Sequence, residues 1–169
     1  MNQPEAKPKL EKNAPDTEPR VTDQDLARRE KLRKLAEQGV DLFPHKAEWT
    51  HSASGITADY AGFSKEELEA RKTSVAVPGR ILTIRKMGRA SFFHISDGKS
   101  RLQVYIREDA AGAEAYERFA SLDIGDIVLI QGTLFKTRTG ELTVLCEKLT
   151  FLAKCLHPLP EKWHGLQDV

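Results

Sequence analysis

Five runs of strand-forming residues follow one another between residues 74 and 153, and one helical stretch interrupts them, between the third run and the fourth. Residues 75–84 are rich in β-branched side chains and read as a first strand. Pro78-Gly79 inside it suggests a sheet edge or a bulge, because proline cannot donate to a ladder. Residues 91–96 read as a second strand, and Asp97-Gly98 is the turn into a third over 102–106. Tyr116, Phe119 and Ala120 sit at helical spacing. Residues 127–136 and 142–152 are the fourth and fifth strands, joined across Thr139-Gly140.

Any one of these runs would fit several folds. All six elements in this order match the OB-fold. The expected class is mainly β with α, a five-stranded OB-fold barrel over residues 74–153 with an inter-strand helix and a helical N-terminal extension.

That extension covers residues 22–73. Thr22-Asp23-Gln24-Asp25 sets a capping hydroxyl and early acids before Leu26, Leu32, Leu35 and Ala36, and Gly39 supplies a left-handed stop. The outer face of this helix is expected to carry Arg28, Arg29, Lys31, Arg33 and Lys34, a cation density suited to a polyanion. Residues 40–63 read as irregular, broken by Pro44, Gly55 and Gly62. Ser64-Lys65-Glu66-Glu67 is a capping box opening a short helix to about residue 72. Residues 1–21 hold Pro4, Pro8, Pro15 and Pro19 and little that could be buried, so they are expected to be a disordered tail. Residues 154–169 read as a linker.

Net charge is only +1, so bulk electrostatics favour no polyanion. Local segregation does. From residue 76 to 107 the cations are Arg80, Arg85, Lys86, Arg89, Lys99, Arg101 and Arg107, against the single acid Asp97. Phe92, Phe93, His94, Gln103 and Tyr105 are interleaved among them. A positive groove with stacking rings is what single-stranded bases require, and strands 1 to 3 form the oligonucleotide face of OB-folds. Phe92 and Phe93 are adjacent, so in a strand one fills the barrel and the other faces ligand. The hairpin tip 136–141 brings Lys136, Arg138 and Glu141 beside this face.

Other chemistries find no support. Gly98-Lys99-Ser100 resembles the end of a phosphate loop, but its first glycine would fall on Phe93 and a strand follows. The five histidines and Cys146 and Cys155 show no metal-ligand spacing, and no nucleophile elbow or zinc-protease motif occurs. The two cysteines fit reduced thiols better than a disulfide scaffold. No stretch approaches the roughly 20 apolar residues of a membrane span, and the N-terminus lacks a signal-peptide run, so a cytoplasmic protein is expected.

The segment 80–92, Arg-Ile-Leu-Thr-Ile-Arg-Lys-Met-Gly-Arg-Ala-Ser-Phe, resembles the first two strands of the anticodon-binding domain of class IIb aminoacyl-tRNA synthetases. Leu122-Asp123-Ile124-Gly125-Asp126-Ile127-Val128 and the stretch from Gly132 to Leu142 are similar to the same family. The tail from Leu156 through Pro158-Leu159-Pro160 to Leu166 looks like the segment leading to the catalytic domain in the lysyl-tRNA synthetase family, and argues against the aspartyl and asparaginyl relatives. It departs from the family pattern at His157 and Trp163.

The resemblance implies an anticodon site of Arg85 on base or phosphate, Phe92 stacking on the central base, Gln103 on a base edge and Glu141 accepting from a base. Arg80, Lys86, Arg89, Arg28, Arg29, Lys136 and Arg138 are the accompanying RNA-backbone candidates. The implied partner is tRNA with a uridine-rich lysine anticodon. The implied parent enzyme is a homodimer joining lysine to tRNA with ATP and magnesium. The chain stops where its catalytic domain would begin and carries no adenylate-forming motif, so the fragment is expected to hold no cofactor, metal or catalytic residue and to bind tRNA only. Two other readings stand beside this one, a sequence-tolerant single-strand binder and a barrel that faces a protein partner.

Overall fold

A computed structural model describes residues 21–158. The expectations for residues 1–20 and 159–169 lie outside the described residues. Strands β1 (Ser74–Met87), β2 (Ala90–Ser96), β3 (Arg101–Arg107), β4 (Ile127–Lys136) and β5 (Leu142–Ala153) close into a barrel in the order β1-β2-β3-β5-β4. Only the β3–β5 pair is parallel. This is the five-stranded OB-fold barrel expected from the element order.

One strand serves two neighbours. Residues 74–80 of β1 pair with β4, and residues 80–87 pair with β2. Pro78 pairs with Leu129 of β4 on one side and has no strand partner on the other, because the β2 ladder begins at Arg80; the register shift comes later, between Ile81 and Thr83. Of the expected edge or bulge at Pro78-Gly79, the one-sided pairing is present and the bulge is displaced to the following residues. Gly79 marks close approach instead: a Cβ there would lie 2.9 Å from Ile95 Cβ and 3.2 Å from Ser96 N. Glycine lets β1 cross from one partner to the other.

Two-residue alternation fills the barrel. Phe93 and Ile95 of β2 and Val104 and Ile106 of β3 are fully buried, while Phe92, His94, Gln103 and Tyr105 look outward. The expected single helix between β3 and β4 is two, α4 (Glu108–Ala111) and α5 (Ala113–Ala120), divided at Gly112 with φ +86°. Phe119 of α5 plugs the barrel end, its ring centroid 4.9 Å from that of Phe93. Cys146 and Cys155 are both free thiols, and burial pushes the Cys146 thiol up to about 12.

In the extension, α1 (Asp23–Glu37) has the expected Thr22 cap, completed as a box by Asp25, and Gly39 takes φ +74° beyond its end. Helix α3 (Lys65–Arg71) opens with the expected Ser64–Glu67 box. Between them lies α2 (Ala53–Tyr60), in a stretch read as irregular. Gly55 is in its first turn, where the Ser52 hydroxyl accepts the Gly55 N–H at 3.0 Å. That cap, with Ala53 and Ile56 fully buried, offsets a helical glycine's cost of about 1 kcal/mol.

The α1 face also differs from expectation. Leu35 is buried, but Leu26 is exposed, and Arg28 and Lys31 turn toward the barrel. Arg28 Nη1 donates to the carbonyls of Ile124 (3.0 Å) and Cys155 (2.7 Å), and Lys31 Nζ is 2.5 Å from Asp123. Lys154 Nζ, almost wholly buried, lies 2.7 Å from both Asp123 and Asp126. Burial pushes the Asp123 carboxyl up, but hydrogen bonds from Lys154 and Lys31 more than offset it and hold the group below the usual carboxylate range. The helix docks through an ionic seam as much as an apolar one.

Candidate nucleic-acid interface

The outward residues of β1, β2 and β3 line up in two rows across the sheet. Register places Arg85, Phe92 and Tyr105 in one row, and Thr83, His94 and Gln103 in the next. In the first row the Phe92 and Tyr105 rings stack, centroids 4.4 Å apart and planes 18° from parallel. The second row is polar: Thr83 Oγ1 lies 2.9 Å from His94 Nδ1, and Gln103 Oε1 lies 2.9 Å from Thr143 Oγ1.

The β4–β5 hairpin closes the groove from above. Its turn is tied by Thr137 N–H donating to the Glu141 carbonyl (3.0 Å), with Gly140 at φ +85°. This sets the Glu141 carboxylate over the polar row, 2.7 Å from Gln103 Nε2 and 3.2 Å from His94 Nε2. The open cavity between sheet and hairpin measures about 690 Å³ and is lined by Thr83, Arg85, Phe92, His94, Gln103, Arg138 and Glu141, among others.

All four expected anticodon residues, Arg85, Phe92, Gln103 and Glu141, therefore line one groove, and Arg138 joins them. The remaining backbone candidates divide. Arg80 donates to the Gly125 carbonyl (2.8 Å), Lys86 to Ala120 (3.2 Å), Lys136 to Ala61 (2.9 Å), and Arg28 to Ile124 and Cys155. These four hold loops and the extension onto the barrel. Arg89 is exposed on the β1–β2 turn, 3.5 Å from Glu108, and Arg29 is exposed on α1. Among the described residues, Arg85 and Arg138 form no salt bridge.

Asp97, the only acid of the basic run, does not neutralise the groove. Its carboxylate accepts backbone N–H groups of Ser54, Lys99 and Ser100 at 2.8–3.0 Å, fastening the β2–β3 turn to the start of α2. Burial pushes this carboxyl up, but those bonds outweigh it and hold it well below the ordinary range.

Three residues of these rows were not among the expected anticodon residues: Thr83, and His94 and Tyr105, which the sequence placed on this face without a role. The signal was present for two of them. His94 is two residues from Phe92 on the same strand, so it shares that ring's face, and Tyr105 is two from Gln103. Thr83 could be placed only once the bulge fixed the β1–β2 register. Among the described residues no group of three or more His, Cys, Asp or Glu is placed to hold a metal, and no helix is long and apolar enough to cross a membrane.

Comparison with known proteins agrees with this geometry. Residues 75–152 match a tRNA anti-codon family model described as an OB-fold nucleic acid binding domain. Over 149 residues, 88% of its length, the chain is 50% identical to a lysine–tRNA ligase of Bacillus cytotoxicus. Over the same length it is 49% identical to those of Bacillus thuringiensis and Bacillus anthracis. The chain spans about 30% of the length of these relatives.

Proposed function

The barrel belongs to the family of OB-fold nucleic acid binding domains of the tRNA anticodon type, and from that premise we propose that the chain reads the anticodon of lysine tRNA for a ligase of which it is one part. The observation that carries the reading is the pairing of the stacked Phe92–Tyr105 row with the polar Gln103–Glu141 pair in one groove. An anticodon base is a flat ring with donors and acceptors on its edge. RNA readers hold such bases by stacking one face and bonding the edge.

Gln103 suits a uridine edge. Its amide nitrogen gives one hydrogen to Glu141, and its carbonyl accepts from Thr143, which leaves one N–H and one lone pair side by side. Uracil offers the complementary acceptor and donor at O4 and N3–H. Glu141, a pure acceptor, favours an edge that donates and repels phosphate. Arg85 and Arg138 supply the charge that draws the backbone in. Arg29 and Arg89 are placed to extend that path along the surface.

The parent activity, attachment of lysine to tRNA with ATP and magnesium in a cytoplasmic homodimer, is part of the same proposal. The described residues offer no donor set for the metal, and no chemical step is assigned to this chain.

The test is binding of the chain to matched stem-loops carrying lysine or aspartate anticodons. Clear preference for the lysine loop is expected. Equal affinity for both would make the barrel a sequence-tolerant single-strand binder. RNA affinity that is absent or indifferent to salt would point the groove at a protein instead.

A further inference from the structure

Both ring nitrogens of His94 are engaged within the groove floor. Nδ1 faces the Thr83 hydroxyl at 2.9 Å, and Nε2 faces Glu141 Oε1 at 3.2 Å. A carboxylate only accepts, so a hydrogen sits on Nε2, and the Thr83 hydroxyl, able to donate or accept, partners Nδ1. The imidazole therefore has no edge left with which to read a base. What it does is hold Glu141.

The geometry of Glu141 shows why holding is needed. Its backbone is pinned by the turn, N–H to Thr137 Oγ1 at 3.1 Å and C=O to Thr137 N–H at 3.0 Å. Its side chain is about half exposed, 48% by area, and reaches across from a different hairpin. Among the described residues two side-chain donors grip the carboxylate, one per oxygen: His94 on Oε1 and Gln103 on Oε2. Losing the His94 bond leaves one oxygen free, and the group can swing about the remaining contact. Gln103 is held on its other side by Thr143 alone, so the amide turns with it.

We propose that His94 is a specificity-determining residue of this site, a positioning residue that fixes the Glu141 carboxylate and, through it, the Gln103 amide. The inference rests on the anticodon reading of the groove. It assigns His94 to discrimination between base edges and not to the bulk of the affinity, which stacking and phosphate contacts carry.

Uridine and cytidine separate these roles, because they stack alike but exchange a donor and an acceptor on the same edge. The full chain and its variants are titrated against a lysine anticodon stem-loop and against loops with one uridine replaced by cytidine. The wild type should favour uridine at one position or more. In His94→Leu that preference should fall about tenfold, the scale of one hydrogen bond to a charged group, while affinity for the uridine loop falls much less. His94→Gln restores a donor toward Glu141 and should recover most of the ratio, which a merely structural role would not predict. Thr83→Val, which releases only the far side of the ring, should lower the ratio less, and it becomes the deciding variant if His94→Leu fails to fold.

A wild type without base preference sinks the anticodon reading and this inference together. A wild type that discriminates, with Glu141→Ala losing the ratio and His94→Leu keeping it, overturns the inference alone. Equal loss on every loop in His94→Leu would make the ring a direct contact and overturn it as well.

Discussion

Replacing Phe92 and Phe93 one at a time separates ligand binding from folding on adjacent residues. Phe93 is fully buried against Phe119, and a buried Phe→Ala change costs about 3–5 kcal/mol. At about 2–4 °C per kcal/mol for a chain of this size, the melting midpoint should fall by about 6 °C or more. Phe92 faces the groove and shares its stack with Tyr105, an aromatic pair contributing about 0.5–1.5 kcal/mol to the fold. Its Ala variant should stay folded with a small shift. Base stacking contributes about 1–3 kcal/mol by alanine substitution, which is about 5- to 150-fold in affinity. Tyr105 lies beside Phe92 at 4.4 Å and offers a second platform once Phe92 is gone, so the loss should lie in the lower half of that range. The double variant with Tyr105→Ala should reach the upper half. Fluorescence anisotropy with a labelled anticodon stem-loop gives the affinities, and thermal unfolding by circular dichroism gives the stabilities. If Phe92→Ala unfolds while Phe93→Ala folds and loses RNA, the face assignment is reversed. If neither changes RNA affinity, the bases bind elsewhere.

Two further variants probe the frame that holds the groove. At Gly132 an added Cβ would lie 1.8 Å from the Leu145 carbonyl oxygen, in the bulged part of the β4–β5 ladder, so Gly132→Ala should cost about 3 kcal/mol or more, and a thermal midpoint within about 2 °C of wild type would refute the close approach. Lys154→Met removes the buried cation shared by Asp123 and Asp126, leaving Asp123 with Lys31 alone, and should cost about 3 kcal/mol near neutral pH. The wild-type Asp123 pKa is depressed, so its stabilisation is present above the unfolded value of about 3.9 and is lost as pH falls through the lower folded value. Without Lys154 the burial of Asp123 favours its protonated form, so the deficit of Lys154→Met should shrink as pH drops from about 6 to 4, and chemical denaturation at several pH values would show a constant deficit if the seam were not ionic.

How much of this was legible in the sequence depended on the range of the signal. Strand alternation is local, and it put Phe92 and Phe93 on opposite faces; the resemblance gave Phe92 the outer one, and Phe93 is the buried ring. The capping boxes at Thr22 and Ser64 are local too, and both are present. Helix α2 was hidden because its first turn holds a glycine, and its support comes from a Ser52 cap and from Ile56 burial that only the folded chain reveals. Pro78 falls where β1 pairs with β4 alone, so its missing N–H costs no ladder bond to β2, while the bulge between Ile81 and Thr83 carries no proline or glycine signal of its own. The face of α1 did mislead. Periodicity asks for apolar residues against the core, but Arg28 and Lys31 find carbonyls and carboxylates presented by segments about a hundred residues away. Glu141 reached the site through family resemblance, while its grip by His94 depends on a hairpin folding over a sheet, which no local pattern encodes.

The fate of the cations also sets how the chain should respond to salt. Eight positions were candidates for base or backbone contact by charge: Arg28, Arg29, Arg80, Arg85, Lys86, Arg89, Lys136 and Arg138. Four of them donate to main-chain carbonyls and act as struts. That leaves Arg85 and Arg138 in the groove, with Arg29 and Arg89 exposed outside it. For single-stranded loops each phosphate contact contributes about −0.7 to the slope of log affinity against log salt, so two to four contacts give about −1.4 to −2.8. Raising salt from about 50 to 200 mM should then weaken binding by about 7- to 50-fold, whereas eight contacts would weaken it by about 2,000-fold. A measured slope near −5.6 would mean that the struts let go of their carbonyls to meet RNA, and the division between frame and groove would be wrong. A shallow slope fits the proposed reader, whose net charge is only +1 and whose proposed hold on bases lies in the Phe92 ring and the Gln103–Glu141 edge.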